Sequence, residues 1–122
     1  MTEDNLKSFD TLFDHIYKGN KEASELSFKI LHMLHVWDDL IDKDKPVADI
    51  DINKAFVSGV FELQRYPIWF SAGLDHHLLN TYLRWRDATE MEVADASDDD
   101  LNKCYMLRAG LYDMFVIIAF HM

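Results

Sequence analysis

Four aspartates, Asp38, Asp39, Asp42 and Asp44, fall within seven residues and are the feature of this sequence best suited to chemistry. Clustered carboxylate oxygens are the ligands that hard cations such as Mg²⁺ prefer. His35 lies one turn before the cluster and would extend the set toward a softer metal such as Mn²⁺. The sequence therefore predicts a candidate metal site formed by His35 and the four aspartates, with Mg²⁺ or Mn²⁺ as its ion.

These side chains must be positioned by a long amphipathic helix. Apolar residues recur at three- and four-residue spacing over residues 21–42, where neither glycine nor proline occurs. At about 100° per residue, His35, Asp38 and Asp42 form one column on the shoulder of the apolar stripe. Asp39 lies further round toward solvent. Asp38 is therefore expected to be the most inward of the acids.

The cluster carries an electrostatic cost, because a helix C-terminus has a partial negative charge. Each exposed acid there loses roughly 0.3–1 kcal/mol, and Asp38 and Asp42 also repel each other across one turn. A divalent cation, a buried arginine or the N-terminus of another helix would relieve that cost, and exposure to solvent would reduce it. Arg108 lies within an apolar stripe and, if buried, must find a carboxylate. A buried ion pair between Asp38 and Arg108 is thus the rival to a metal site.

A metal site would also suggest a phosphorylated ligand, since Mg²⁺ is commonly bound by one or two carboxylates together with substrate phosphates. Under that hypothesis Arg84, Arg86 and Arg108 are the candidate phosphate contacts. The sequence contains no glycine-rich phosphate loop, no nucleophile motif and no zinc-protease motif, so a complete catalytic set is lacking.

Two resemblances involve this segment. Asp38-Asp39-Leu40-Ile41-Asp42 resembles the DDxxD motif of class I isoprenoid diphosphate synthases, all-α enzymes whose aspartates hold Mg²⁺ against a diphosphate. That resemblance would make Asp38 and Asp42 the leading metal ligands, with Asp39 in support. It covers five residues and no second such motif follows, so it indicates convergence of pattern.

The longer segment from Val36 to Pro46, with its WDDLIDKDKP sequence, looks like one found in small uncharacterised proteins of tailed bacteriophages. Trp85 and the stretch from Tyr105 to Arg108 resemble the same family, so the similarity would cover most of the chain. It implies a phage origin, a location in the host cytoplasm and no assigned activity.

Charge and composition exclude several classes of function. The chain has 22 acidic and 12 basic residues, a net charge of −10, which disfavours nucleic acid and anionic membranes as partners. The longest strictly apolar run, Met114 to Phe120, is too short to span a bilayer. A single cysteine, Cys104, and a polar N-terminus indicate a cytoplasmic protein.

The periodicity predicts a single helical domain over residues 1–122, a compact all-α bundle of about five helices. Gly19 is the expected stop of the first helix, and Asn20 and Ser97 are expected N-caps. The residue before Pro67 should end the third helix. The predicted helices are residues 3–18, 21–42, a third from Asp49 or Asp51 to Tyr66, 75–94, and 98 to the end.

The last helix is apolar on all sides from Phe115 to Phe120, which implies burial on more than one side. A homodimer contact through this helix would provide the second side. The favoured hypothesis is therefore an accessory protein that works by protein–protein contact, with a structural Asp/Arg cluster. The alternative is a divalent-metal-binding protein or enzyme that acts on a phosphorylated small molecule through Asp38, Asp39 and Asp42.

Overall fold

The computed structural model of the protein describes residues 3–43, 45–93 and 95–122. These residues form helices joined by short connections, and no strand occurs among them, as the apolar periodicity predicts. The helices are α1 (Glu3–Tyr17), α2 (Lys21–Asp42), α3 (Asp49–Val57), α4 (Pro67–Ser71), α5 (Leu74–Met91), α6 (Asp98–Arg108) and α7 (Gly110–His121).

One apolar core joins α1, α2, α5 and α7. Phe13 of α1 lies at its centre, with ring centroids 4.8 Å from Phe28 of α2 and 4.9 Å from Phe115 of α7, both in edge-to-face contact. Tyr17 is also fully buried, and its hydroxyl lies 2.7 Å from the Ser27 hydroxyl. The polar end of the tyrosine is thus satisfied inside the core, as buried phenols require.

The predicted helix ends are largely confirmed. α1 ends at Tyr17, and Gly19 follows with a φ of 81°, a left-handed conformation that glycine adopts without strain. The Asn20 side chain accepts a hydrogen bond from the Ala23 amide at 3.0 Å, and Ser97 caps α6 in the same way. Local side-chain chemistry therefore determines these boundaries.

The third predicted helix does not continue regularly to Tyr66. After Val57 the chain widens into a π-helical turn, Ser58–Glu62, and then tightens into a 3₁₀ turn, Leu63–Arg65. Tyr66 is extended immediately before Pro67, which begins α4 at a position that needs no amide hydrogen. The proline boundary is confirmed, but the π turn had no signal in the periodicity.

The predicted C-terminal helix is a helical stretch from Asp98 to His121, in which Ala109 separates α6 from α7 and keeps backbone angles of the right-handed helical region. Gly110 begins α7, and a Cβ there would lie 3.2 Å from a guanidinium nitrogen of Arg84. By length and composition alone, the combined stretch from Asp98 to His121 would suffice to cross a membrane. The strictly apolar run from Met114 to Phe120 is therefore only part of a longer apolar stretch. Within the fold, one side of α7 packs into the core.

Several side chains expected to face inward lie on the surface. Ile41 of α2 is half-exposed, so the apolar stripe that began at Ala23 leaves the core before the helix ends. Tyr105 of α6 and Phe56 of α3 are also exposed. The apolar spacing shows which of these residues share a helix face. The number of neighbouring helices decides which of them are covered.

Candidate functional site

Asp38, Asp39 and Asp42 occupy the last turns of α2, and Lys43 caps the end of the helix. This residue takes a left-handed conformation with a φ of 58°, and its amide donates to the Asp39 carbonyl at 3.0 Å. The turn ends the helix without a glycine.

Asp38 faces α5, where the indole Nε1–H of Trp85 donates to its Oδ1 at 3.0 Å. Trp85 is buried, and a buried indole N–H needs an acceptor. The inward position predicted for Asp38 is thus correct. Its direct hydrogen-bond donor is a neutral indole, which was absent from the predicted set of partners.

Arg108 does not form the predicted direct ion pair with Asp38. Its Nη2 lies 2.6 Å from Glu92 Oε2 and 3.3 Å from the Thr89 hydroxyl. The hydrogen bond to Glu92 raises the pKa of the Arg108 guanidinium, and Coulombic attraction to Glu92 and Asp38 acts in the same direction. Asp38 therefore influences Arg108 through space, while Glu92, just after α5, is its ion-pair partner.

Asp39 has a different neighbour from Asp38. Asp39 Oδ2 lies 3.9 Å from Lys45 Nζ, and Asp42 is exposed on the last turn of α2. The prediction for Asp44 falls outside the residues that the structure describes. Helix geometry separates Asp38 and Asp39 by about 100°, so adjacent acids in the sequence face different neighbours.

His35 lies between two cavities. It lines one of about 380 Å³ together with Asp39 and Lys45, and another of about 360 Å³ together with Trp85 and Arg108. Its ring contacts Trp85 edge-to-face at 6.2 Å between centroids. Burial lowers the pKa of His35, because the protonated ring is poorly solvated there. The neutral ring is accordingly favoured at neutral pH.

The predicted metal ligands do not converge in the part of the chain that the structure describes. In residues 3–43, 45–93 and 95–122, no group of three or more His, Cys, Asp or Glu side chains is arranged to hold a metal ion. His32 is engaged with Asp51, with 3.2 Å between Nε2 and Oδ1. Asp38 accepts a hydrogen bond from Trp85, and Asp39 lies within ion-pair distance of Lys45, so the electrostatic cost of the cluster is relieved in part by the chain itself.

The candidate phosphate contacts are likewise dispersed. Arg84 lies 3.9 Å from Asp113 of α7, whereas Arg86 is exposed and lies 3.4 Å from its neighbour Asp87. Arg108 pairs with Glu92, so each of the three arginines has a different acidic partner. The three arginines do not form one anion-binding site.

Comparisons with protein-family models, with curated proteins and with solved structures give no significant match. The function must therefore be argued from the geometry of this chain. Trp85, the hydrogen-bond donor to Asp38, was not among the partners predicted from the sequence. The signal available in advance was chemical, since a tryptophan on an apolar stripe brings a donor that needs an acceptor.

Proposed function

We propose that this chain is a non-enzymatic accessory protein, of the phage type that its sequence resembles, and that it works by protein–protein contact. The observation that supports this proposal is the outer side of α7. Tyr112, Val116 and Phe120, which we call the C-terminal face, are 51%, 67% and 83% exposed. Exposed apolar residues that form a contiguous patch commonly mark an interaction site.

The spacing of the C-terminal face favours a second copy of the chain as its partner. The three residues follow one another at intervals of four, so they form a single row along the helix. In an antiparallel pair of α7 helices centred on Val116, Tyr112 of one copy would lie against Phe120 of the other. A twofold axis requires such self-complementarity, and aromatic pairs stabilise contacts of this kind.

The charge of the protein determines how this contact should respond to salt. Two copies that each carry a net charge of −10 repel one another, while the contact itself is apolar. Salt screens that repulsion over about 10 Å at 0.1 M and leaves apolar burial intact. Dimerisation should therefore strengthen as ionic strength rises from low values.

The supporting observations favour this proposal over the metal-dependent alternative. An enzyme acting on a phosphorylated molecule would need carboxylates and cationic side chains directed at one point. Asp38 and Asp39 are directed at Trp85 and Lys45, and Arg84 is directed at α7. The C-terminal face, in contrast, is continuous and already exposed.

Analytical ultracentrifugation of the full chain, over a range of concentrations and salt, tests the proposal. We expect a monomer–dimer equilibrium in the wild type and a monomer in Val116→Asp or Phe120→Ser. Phe70→Ser is the matched control, because Phe70 is an aromatic residue of α4 that is 72% exposed and lies outside the C-terminal face. It should dimerise like the wild type.

Two results would overturn the homodimer. One is a monomer at all concentrations and salt conditions, and the other is a dimer that Val116→Asp leaves unchanged. Flotation with lipid vesicles is the companion measurement, because the stretch that includes α6 and α7 is long and apolar enough to cross a bilayer. The wild type could bind vesicles without forming a dimer, and Phe120→Ser could abolish that binding. Together these two results would show that the C-terminal face contacts a membrane and not a protein.

A further inference from the structure

A cavity of about 410 Å³ opens between α2, the π turn, α4 and α5. That volume lies within the range of small-molecule sites, which are mostly apolar with a few polar groups. Three aromatic side chains contribute to its wall: Trp37 and Tyr82 lie 5.0 Å apart between ring centroids, and Trp69 is the third. Among the described residues, neither the acids Asp38, Asp39 and Asp42 nor the C-terminal face lines this cavity.

The π turn shapes one side of the cavity. Gly59 lies within it, and a Cβ there would approach the Met33 sulfur to 3.0 Å, so the missing side chain makes room for Met33. Gln64 follows the turn, and its Nε2 donates to the Gly59 carbonyl at 2.8 Å. π turns occur frequently at functional sites, because the widened turn redirects side chains.

The polar groups of the cavity define the charge of a suitable ligand. Asp75, in the first turn of α5, lines the cavity with a side chain that is 63% exposed. Among the residues that the structure describes, no lysine, arginine or histidine lines it. Gln64 lines it too, but its Oε1 atom is buried away from the open space and its Nε2 donates to Gly59. One carboxylate on a wall without cationic side chains favours a ligand that brings positive charge.

We propose that this cavity binds a small aromatic amine. The ring of the ligand packs against Trp37 and Tyr82, and its ammonium group is attracted by the Asp75 carboxylate and by the negative faces of the aromatic rings. Carboxylates and phosphates of similar size are disfavoured by Asp75 and by the net charge of −10.

A pair of ligands with the same ring and opposite charge tests the proposal on the full chain. We expect 2-naphthylmethylamine to bind at least about tenfold more tightly than 2-naphthoate in calorimetric titrations. Chemical-shift changes in NMR should centre on Trp37, Trp69 and Tyr82. Equal affinity of the two ligands, or no binding of the amine at millimolar concentration, overturns the proposal.

Charge-matched variants separate a local site from the general field of an acidic protein. Asp75→Asn should weaken amine binding by roughly three- to tenfold. Asp113→Asn removes the same charge from α7, outside the cavity, and should leave the affinity unchanged. If both variants weaken binding equally, the amine responds only to overall charge and the site is refuted.

Phe120→Ser should not alter amine binding, so this proposal and the homodimer can fail independently.

Discussion

Trp85 and Asp38, 47 residues apart in the sequence, are joined by a hydrogen bond of 3.0 Å from the indole Nε1–H to a carboxylate oxygen. The bond ties the end of α2 to the middle of α5. It also provides a donor for the most inward acid of the cluster, at the helix end where negative charge is least favourable. A hydrogen bond to a charged group contributes more than one between neutral groups.

The first prediction concerns the energetic coupling of this pair. Asp38→Leu should lower the free energy of unfolding by about 1–3 kcal/mol, because it leaves the buried Trp85 N–H without an acceptor. Asp38→Asn retains an acceptor and removes a charge from the helix end, so its cost should be smaller. Urea denaturation of both variants gives the comparison.

A double-mutant cycle with Trp85→Phe isolates the hydrogen bond from the loss of packing. We expect a coupling energy of about 1–2 kcal/mol between Asp38→Leu and Trp85→Phe. Additive effects of the two substitutions would show that the bond contributes nothing in solution. Asp87→Leu, at an exposed position of α5, is the control that should not couple to Trp85→Phe.

The second prediction concerns metals. Because Asp38 has a hydrogen-bond donor, Asp39 has an ion-pair partner and the described ligands do not converge, Mg²⁺, Mn²⁺ and Ca²⁺ at millimolar concentration should leave the thermal unfolding midpoint unchanged. EDTA should also have no effect. A rise in the midpoint with metal that disappears in Asp38→Asn would contradict this expectation and restore the metal-binding alternative.

The third prediction concerns stability at alkaline pH. Burial raises the pKa of Tyr17 from 10.0 to about 12, despite its hydrogen bond with Ser27. The folded state then holds the phenolic proton more tightly than the unfolded state does. The resulting contribution of Tyr17 to the free energy of unfolding is roughly 2–3 kcal/mol. It is fully present below pH 10 and is lost as the pH rises toward 12.

Tyr17→Phe should therefore flatten the decline of the unfolding free energy between pH 10 and 12, although the variant is less stable near neutrality because Ser27 loses a partner. The matched control is Tyr105→Phe, since Tyr105 is exposed on α6 and should leave the decline unchanged. Parallel pH profiles of the wild type and Tyr17→Phe would refute the assignment.

The sequence by itself determined the all-α class, the extent of α2 and most helix ends. These features depend on local causes: apolar spacing, the caps Asn20 and Ser97, the left-handed Gly19 and the restriction before Pro67. Each acts within a few residues, so each can be read without knowledge of the fold. The inward position of Asp38 was predicted for the same reason, from the geometry of one helix.

The tertiary structure alone decided the partners of the charged side chains. Arg108 pairs with Glu92 and Asp38 with Trp85, because the packing of α5 beside α6 and α2 sets which groups meet. The same packing left Ile41 and Phe120 exposed, although their spacing marks them as apolar-face residues. Periodicity shows which side chains share a face, but the number and angle of neighbouring helices determine whether that face is covered.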